Sequence, residues 1–487
     1  MPGVFAARQG LAGVRGDSLL THMVTAMPVR GITGLRYDAR QDEQGVDVSG
    51  RGVNINDQAS WPSRALGGLL LFVAMTVSLA TPAAAGSNLL SEPADLAGFS
   101  PAGLDRVTAL LDSEVARGNL AGAIMLIQHR GKPVYYQGFG VRDPATRVPM
   151  TTNTIFRLYS MSKPVTSVAA MMLVEQGRLS LEDPIAKYIP DFAHPTVATE
   201  MKDTRGKPYL AYAPALKPIT VLDLMRQSSG ISSAFTDLGL VTQLYLNAGL
   251  FAGDFDNRDF AARLAKLPLA YQPGTVWDYG HSTDVLGRIV EIASGQSLYD
   301  FEKQFLFDPL GMKDTSYAIT DPEKAARVAQ PMPYDRVIGN EIIFDPTVKR
   351  RWESGGGGLL STTPDYARFL QMLLNGGTLD GVRILQPESV RLMRKNEVSP
   401  ATDVKPWAYY YPGAGFGYGL GFGVRTGPGA DGVPGFLGEM AWGGAAGTYF
   451  WTYPEQDMVM LLMVQTPTQR GRIQPILKTL VYEAIQK

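Results

Sequence analysis

The chain has 487 residues, of which 45% are apolar and 19% charged, with a net charge of −1. That composition fits a globular protein long enough for two or three cores or one large composite domain. Balanced charge supplies no basic field for nucleic acid, and the lack of cysteine excludes disulfides, a thiolate nucleophile and Cys-ligated metal or iron–sulfur sites.

Residues 1–63 are polar and rich in Gly, Arg and Asp, with no helical or strand period. They are expected to be disordered, or an upstream extension added by a wrongly chosen start. Arg64 then precedes a charge-free apolar run from Ala65 to Ala80, followed by Thr-Pro-Ala-Ala-Ala-Gly86. A basic flank, an apolar core of about 15 residues and a small-residue end describe a secretory signal over 64–85, cleaved near Ala85. The alternative is a membrane anchor, but the run falls short of the roughly 20 apolar residues that span a bilayer. The expectation is therefore a periplasmic or secreted protein that meets the membrane only during export, with residues 86–487 as its folded domain.

That domain opens with a helix capped by Ser100, with Pro101 at its first position and Leu104, Val107, Leu110 and Leu111 as its apolar stripe. A hairpin follows: Ala123–His129, a turn at 130–133, then Val134–Phe139. His129 closes the first strand and reads as a solvated turn residue. Residues 160–340 read as mainly helical, with helices at Ser160–Gln176, Val221–Gln227 and Thr283–Ala293. Gly355-Gly356-Gly357-Gly358 lacks the Lys-Ser/Thr of a P-loop and is expected to form a tight strand with close backbone approach. Thr363 is expected to cap the next helix, with Pro364 at its first position. Strands are predicted at Gly417–Val424, Met440–Thr452 and Met458–Val464, and a closing amphipathic helix carries Ile473, Ile476, Leu477, Leu480, Val481 and Ile485. The aromatic stretch Trp407–Pro412 suits either a substrate cleft or a packed surface loop. The predicted fold class is α+β. Residues 86–159 and 341–487 form an antiparallel sheet flanked by N- and C-terminal helices, around an inserted helical part at 160–340.

The strongest chemical feature is Tyr159-Ser160-Met161-Ser162-Lys163-Pro164. Ser and Lys three apart share one helix face, and a serine at a helix start has a backbone N–H and a positive dipole end for a developing oxyanion. A lysine serves as the base if its surroundings favour the neutral amine. Alone, so short a pattern arises often by chance. A rival lies at Gly280-His281-Ser282-Thr283-Asp284, which partly imitates the Gly-x-Ser-x-Gly elbow. Its triad needs a later histidine, and the four present are His22, His129, His194 and His281. None forms a His-Glu-x-x-His zinc pattern either.

Around Ser-x-x-Lys the chain resembles the serine β-lactamase-like superfamily, in the class C-like branch that includes the family VIII carboxylesterases. The resemblance covers residue 95 to the C-terminus. It rests on Phe156–Lys163, Leu179–Tyr188, Ile219–Gly230, Pro273–Tyr279, Pro309–Thr315 and Gly356–Asp365 in the family's order. It implies that Ser160 is an acyl-forming nucleophile, with Lys163 and Tyr279 as its proton shuttle. Tyr279 belongs to Tyr279-Gly280-His281, matching the family's Tyr-x-Asn, and its phenol is expected to be lowered by the nearby ammonium. The alternative is a core aromatic beside Trp277. His281 replaces an amide that meets the acylamino side chain of β-lactams. Trp442-Gly443-Gly444-Ala445 stands for Lys-Thr-Gly and the residue after it. By resemblance the oxyanion hole is formed by the N–H groups of Ser160 and Ala445, while Trp442 and Gly443 make an apolar wall in place of a carboxylate-binding pair. The two glycines are expected to let the strand lie close to substrate.

The resemblance thus implies a carboxylesterase for small esters with no cofactor and no metal. A β-lactamase or D-alanyl-D-alanine peptidase, and a noncatalytic penicillin-binding-like protein, are the alternatives.

Overall fold

The computed structural model describes residues 86–90, 96, 98–233, 239–338, 341–398, 402–404, 415–428 and 432–486. The segments 1–63 and 64–85 and the Trp407–Pro412 stretch lie outside them.

Among the described residues the main sheet has eight strands, every pair antiparallel. In spatial order they are Ser87–Asn88, Lys132–Gly140, Gly122–His129, Met458–Val464, Tyr449–Tyr453, Met440–Gly443, Gly423–Arg425 and Phe416–Tyr418. The hairpin Gly122–Gly140 therefore sits against Met458–Val464, and both ends of the described domain complete one sheet, as expected. Alternate residues along a strand face opposite ways. Ile124, Leu126, Val459, Leu461 and Met463 accordingly enter the larger core, which also contains Val165, Val168 and Leu173 of the helix Ser162–Glu175. Met125, Ile127, Met458, Met460 and Leu462 enter a second core against Leu104, Val107, Leu111, Ile473, Leu477 and Val481 of the terminal helices. Both faces are covered, which is why Met458–Val464 is apolar throughout instead of alternating.

Local chemistry sets the boundaries. Ser100 caps the helix Pro101–Ala116 by accepting from the Gly103 N–H. The first hairpin turns on Arg130 and Gly131, with φ of 50° and 75°. These are the two left-handed residues that a tight two-residue turn needs, so Lys132 and Pro133 belong to the strand and not to the turn. Two predicted strands are hairpins instead. Gly417–Val424 reverses at Gly421 (φ 104°) and Met440–Thr452 reverses at Gly447 (φ 108°), conformations open to glycine but strained for other residues. The cap near 363 is Thr362, whose Oγ1 accepts from the Asp365 N–H, so Thr363 is already helical. Within 160–340 the structure adds a hairpin, Thr196–Lys202 with Pro208–Pro214. Its strands are mostly exposed, and the apolar run Tyr209–Ala213 lacks the apolar–polar alternation that marks a half-buried strand.

Candidate active site

Ser160 lies in a 3-10 turn, Tyr159–Met161, directly before the helix Ser162–Glu175. The α-helix begins two residues later than predicted because Pro164 has no N–H to give the Ser160 carbonyl. The turn is entered through Tyr159, a non-glycine residue at φ 47°. Such a backbone costs on the order of 1–3 kcal/mol and persists only where its surroundings impose it. They do so here. Leu158 N–H donates to Leu359 O (2.9 Å), Leu359 N–H to Ser162 Oγ (3.0 Å), and the buried Tyr366 hydroxyl to Met161 O (2.8 Å).

One helical turn on, Lys163 is buried, with Nζ 3.5 Å from Ser160 Oγ and 2.8 Å from the Gly356 carbonyl that it donates to. The ammonium sits 4.5 Å from the centroid of the Tyr279 ring. Tyr279 packs beside Trp277, as a core aromatic would, and against Trp442 at 5.5 Å, but it also lines the same cavity as Ser160 and Lys163. Its phenol departs from the expected lowering. Burial pushes it above its ordinary value, outweighing the hydrogen bonds to Ser160 and Trp442 and the Arg470 charge, and Asp284 adds to the rise.

The Tyr279 segment is clasped by residues 227–233. Gln227 accepts the Gly280 N–H with its side chain (3.2 Å) and the Asp278 N–H with its carbonyl (2.9 Å). Ser229 and Ser282 share a hydrogen bond of 2.8 Å, and Ser233 Oγ donates to Tyr279 O. A methyl group on Gly280 would lie 2.2 Å from Ile231 O, so glycine is required for this close approach. His281, buried at the start of the helix Ser282–Ser294, lines the cavity. Its Nδ1 lies 3.1 Å from Asp284 Oδ2, and Phe251 and Phe260 meet its ring edge-on.

The Met440–Gly443 strand approaches Ser160 from the sheet. Ala445 lines the cavity with Ser160, whereas Trp442, Gly443 and Gly444 do not. Trp442 is buried behind Tyr279 and Tyr418. Gly444 is closely packed, but on protein: a methyl group there would meet Leu158 O at 2.2 Å and Thr448 Oγ1 at 2.3 Å. Gly443 is merely snug, its nearest neighbour Tyr449 at 3.2 Å. The glycine thus seats the strand on the residues just before Ser160, not on substrate.

The cavity holds about 240 Å³. Its apolar wall comes from Phe251, Tyr317, Ile338, Phe344, Val348 and Trp352, none singled out by the sequence, and Arg350 adds a cation. Phe251 and Trp352 belong to an aromatic cluster with Phe255 and Phe260; Trp352 comes from a distant part of the chain, so no local pattern joins it to the other three. The glycine run forms a turn at Gly355–Gly357, not a strand, while the close approach expected of it is present: a methyl on Gly355 or Gly356 would lie 2.8 Å from Thr283 O or Asp284 Oδ2.

A family model described as Beta-lactamase matches residues 107–482. Protein Rv1367c of Mycobacterium tuberculosis is 36% identical over 355 residues, covering 72% of this chain and 86% of its own. Esterase EstB of Burkholderia gladioli is 28% identical over 384 residues, covering 74% and 90%. Among solved structures, EstCE1, a hydrolase with promiscuous acyltransferase activity, shares the fold with a TM-score of 0.65 at 24% identity, covering 79% of this chain and 98% of its own. The match runs from the first helix of the domain to the last, so the chain belongs to the β-lactamase family and is a serine hydrolase.

Proposed function

We propose that the chain is a carboxylesterase acting through an acyl-enzyme on Ser160. The observation that carries this is the meeting of Ser160, Lys163 and Tyr279 in one cavity whose lining is mainly apolar. Ser160 Oγ attacks the ester carbonyl and its proton passes to the Lys163 amine. Tyr279, kept a neutral phenol by burial, relays that proton to the departing alcohol. The N–H groups of Ser160 and Ala445 hold the tetrahedral oxyanion, with the helix start behind Ser160 adding to the field. Water then attacks the acyl carbon, the same groups carry its proton back to Ser160 Oγ, and the acid leaves. An apolar wall suits an uncharged ester, whose burial leaves no charge to be compensated.

A β-lactamase or peptidase activity is the second reading, favoured by Arg350, a cation in the wall able to meet a substrate carboxylate. Export through residues 64–85 is part of the proposal, and the mature N-terminus, expected near Gly86, tests it. Hydrolysis of p-nitrophenyl acetate and butyrate beside nitrocefin, with Ser160→Ala as control, tests the chemistry. Ester turnover abolished by Ser160→Ala is expected. Turnover that survives the substitution overturns the assignment, and nitrocefin turnover without ester turnover promotes the second reading.

A further inference from the structure

Asp284 is a buried carboxylate that the mechanism above does not use, and all its visible partners lie in the site. Its Oδ1 accepts from Ser354 Oγ (2.5 Å) and from the Gly356 N–H (3.2 Å), and its Oδ2 faces His281 Nδ1 (3.1 Å). Gly356 is the residue whose carbonyl accepts from Lys163 Nζ at 2.8 Å. The carboxylate therefore grips one side of a peptide turn whose carbonyl grips the lysine. The fit is close: a methyl group on Gly356 would lie 2.8 Å from Asp284 Oδ2, and Gly355 is pinned separately by Thr166 Oγ1, which donates to its carbonyl at 2.9 Å.

We propose that Asp284 is the positioning residue of this site: its carboxylate, anchored by His281 and Ser354, clamps the Gly355–Gly356 turn so that the Gly356 carbonyl holds Lys163 beside Ser160. The proposal rests on the Ser160–Lys163 assignment made above. Two physical consequences follow. A clamp fixes where the amine stands, so its loss lowers kcat more than it raises KM. The clamp is also charged. The titratable groups that face it are His281 on its own helix, Lys163 from the helix Ser162–Glu175 and Tyr279 from the preceding segment. Burial would raise the Asp284 carboxyl. The His281 hydrogen bond and charge, the Lys163 charge and the Ser354 hydroxyl outweigh it, so the group is held below its usual range and stays ionised. An anion there makes Lys163 and Tyr279 harder to deprotonate, so removing it eases the loss of their protons.

The test is the pH dependence of kcat and KM for p-nitrophenyl butyrate in the full chain, with melting temperature measured alongside. Asp284→Asn keeps an acceptor for Ser354 and Gly356 but removes the charge. It is expected to move the acid limb of kcat/KM down by about one pH unit, the order set by one charge removed across a few ångströms of protein interior. Ser354→Ala loosens the clamp but keeps the charge, and is expected to lower kcat several-fold with the limb in place. Asp284→Ala loses both and is expected to lower kcat about 10- to 100-fold, the scale of a misplaced catalytic group, with KM little changed. An unmoved acid limb in Asp284→Asn overturns the proposal, as does loss of activity in the three variants only in step with their loss of folded protein. Activity that persists in Ser160→Ala sinks the esterase assignment itself, so the two failures are told apart.

Discussion

Gly444→Ala is a sharp probe of how the sheet serves the site. The added methyl would stand 2.2 Å from the Leu158 carbonyl oxygen and 2.3 Å from Thr448 Oγ1, where real contacts stay beyond 3.0 Å. Neither neighbour yields easily. Leu158 is the last residue before the strained turn that presents Ser160, and Thr448 Oγ1 itself donates to Leu158 O at 3.2 Å. The strand and the turn must therefore separate by about 0.8 Å or more, since overlap at such distances is strongly repulsive. Ala445 is the next residue, so its N–H moves away from the oxyanion by a comparable distance. A misplacement of about 1 Å costs about 100-fold, and full loss of one oxyanion donor costs about 100- to 1000-fold in kcat. Overpacking adds about 1–3 kcal/mol of destabilisation. Gly443→Ala is the control, since its nearest contact, Tyr449 at 3.2 Å, needs to give only slightly. Steady-state kinetics on p-nitrophenyl butyrate, with melting curves, are expected to show kcat collapsing in Gly444→Ala while Gly443→Ala stays near the parent. Unchanged kcat in Gly444→Ala, or the reverse order of the two variants, refutes the placement of Ala445 in the oxyanion hole.

Tyr279→Phe keeps the ring packed between Trp277 and Trp442 but removes the phenol. kcat is expected to fall about 100- to 10,000-fold with the melting temperature nearly unchanged, as kinetics and calorimetry check together. Trp352→Ala opens the apolar wall and is expected to shift kcat/KM from acetate toward longer acyl esters, read from a chain-length series. Glu302 is fully buried under the site, hydrogen-bonded to the Tyr317 hydroxyl and Thr166, and burial pushes its carboxyl up to about 8. The folded state then binds a proton that the unfolded state has released between the ordinary glutamate value and 8, so this group's stabilising contribution is lost as pH rises through that window. Glu302→Gln is expected to gain stability relative to the parent as pH rises from 5 to 9, by a few kcal/mol at most, in urea titrations at each pH. A stability difference independent of pH contradicts it.

Much of this was legible in the sequence because it was written locally. The Ser100 cap, the continuous apolar strand Met458–Val464 and the stripes of the terminal helices follow from period and cap chemistry, and so did a sheet closed by both ends of the described domain. Ser160, Lys163, Tyr279, His281 and Ala445 were reached through spacing and family resemblance, and the fold brings all of them to one cavity. What escaped depended on partners distant in sequence. The hairpins hidden in Gly417–Val424 and Met440–Thr452 turn at Gly421 and Gly447, but each stretch holds other glycines as well, so glycine alone does not mark where one strand becomes two. Trp442 looked like a wall residue, yet it packs behind Tyr279 because Tyr418, from another hairpin, covers its other side. Asp284 drew notice only as the residue that spoiled a Gly-x-Ser-x-Gly motif. Its partners Ser354 and Gly356 are about 70 residues away, beyond any local pattern.

The central claim is that Ser160 carries the acyl group, and trapping the adduct tests it most directly. The protein is quenched in acid during turnover of p-nitrophenyl butyrate, or after reaction with a fluorophosphonate, digested and mapped by mass spectrometry. A single butyryl or phosphonyl adduct on Ser160, absent in Ser160→Ala, is the predicted result. An adduct on another residue, or full turnover by Ser160→Ala with no adduct at all, contradicts the account.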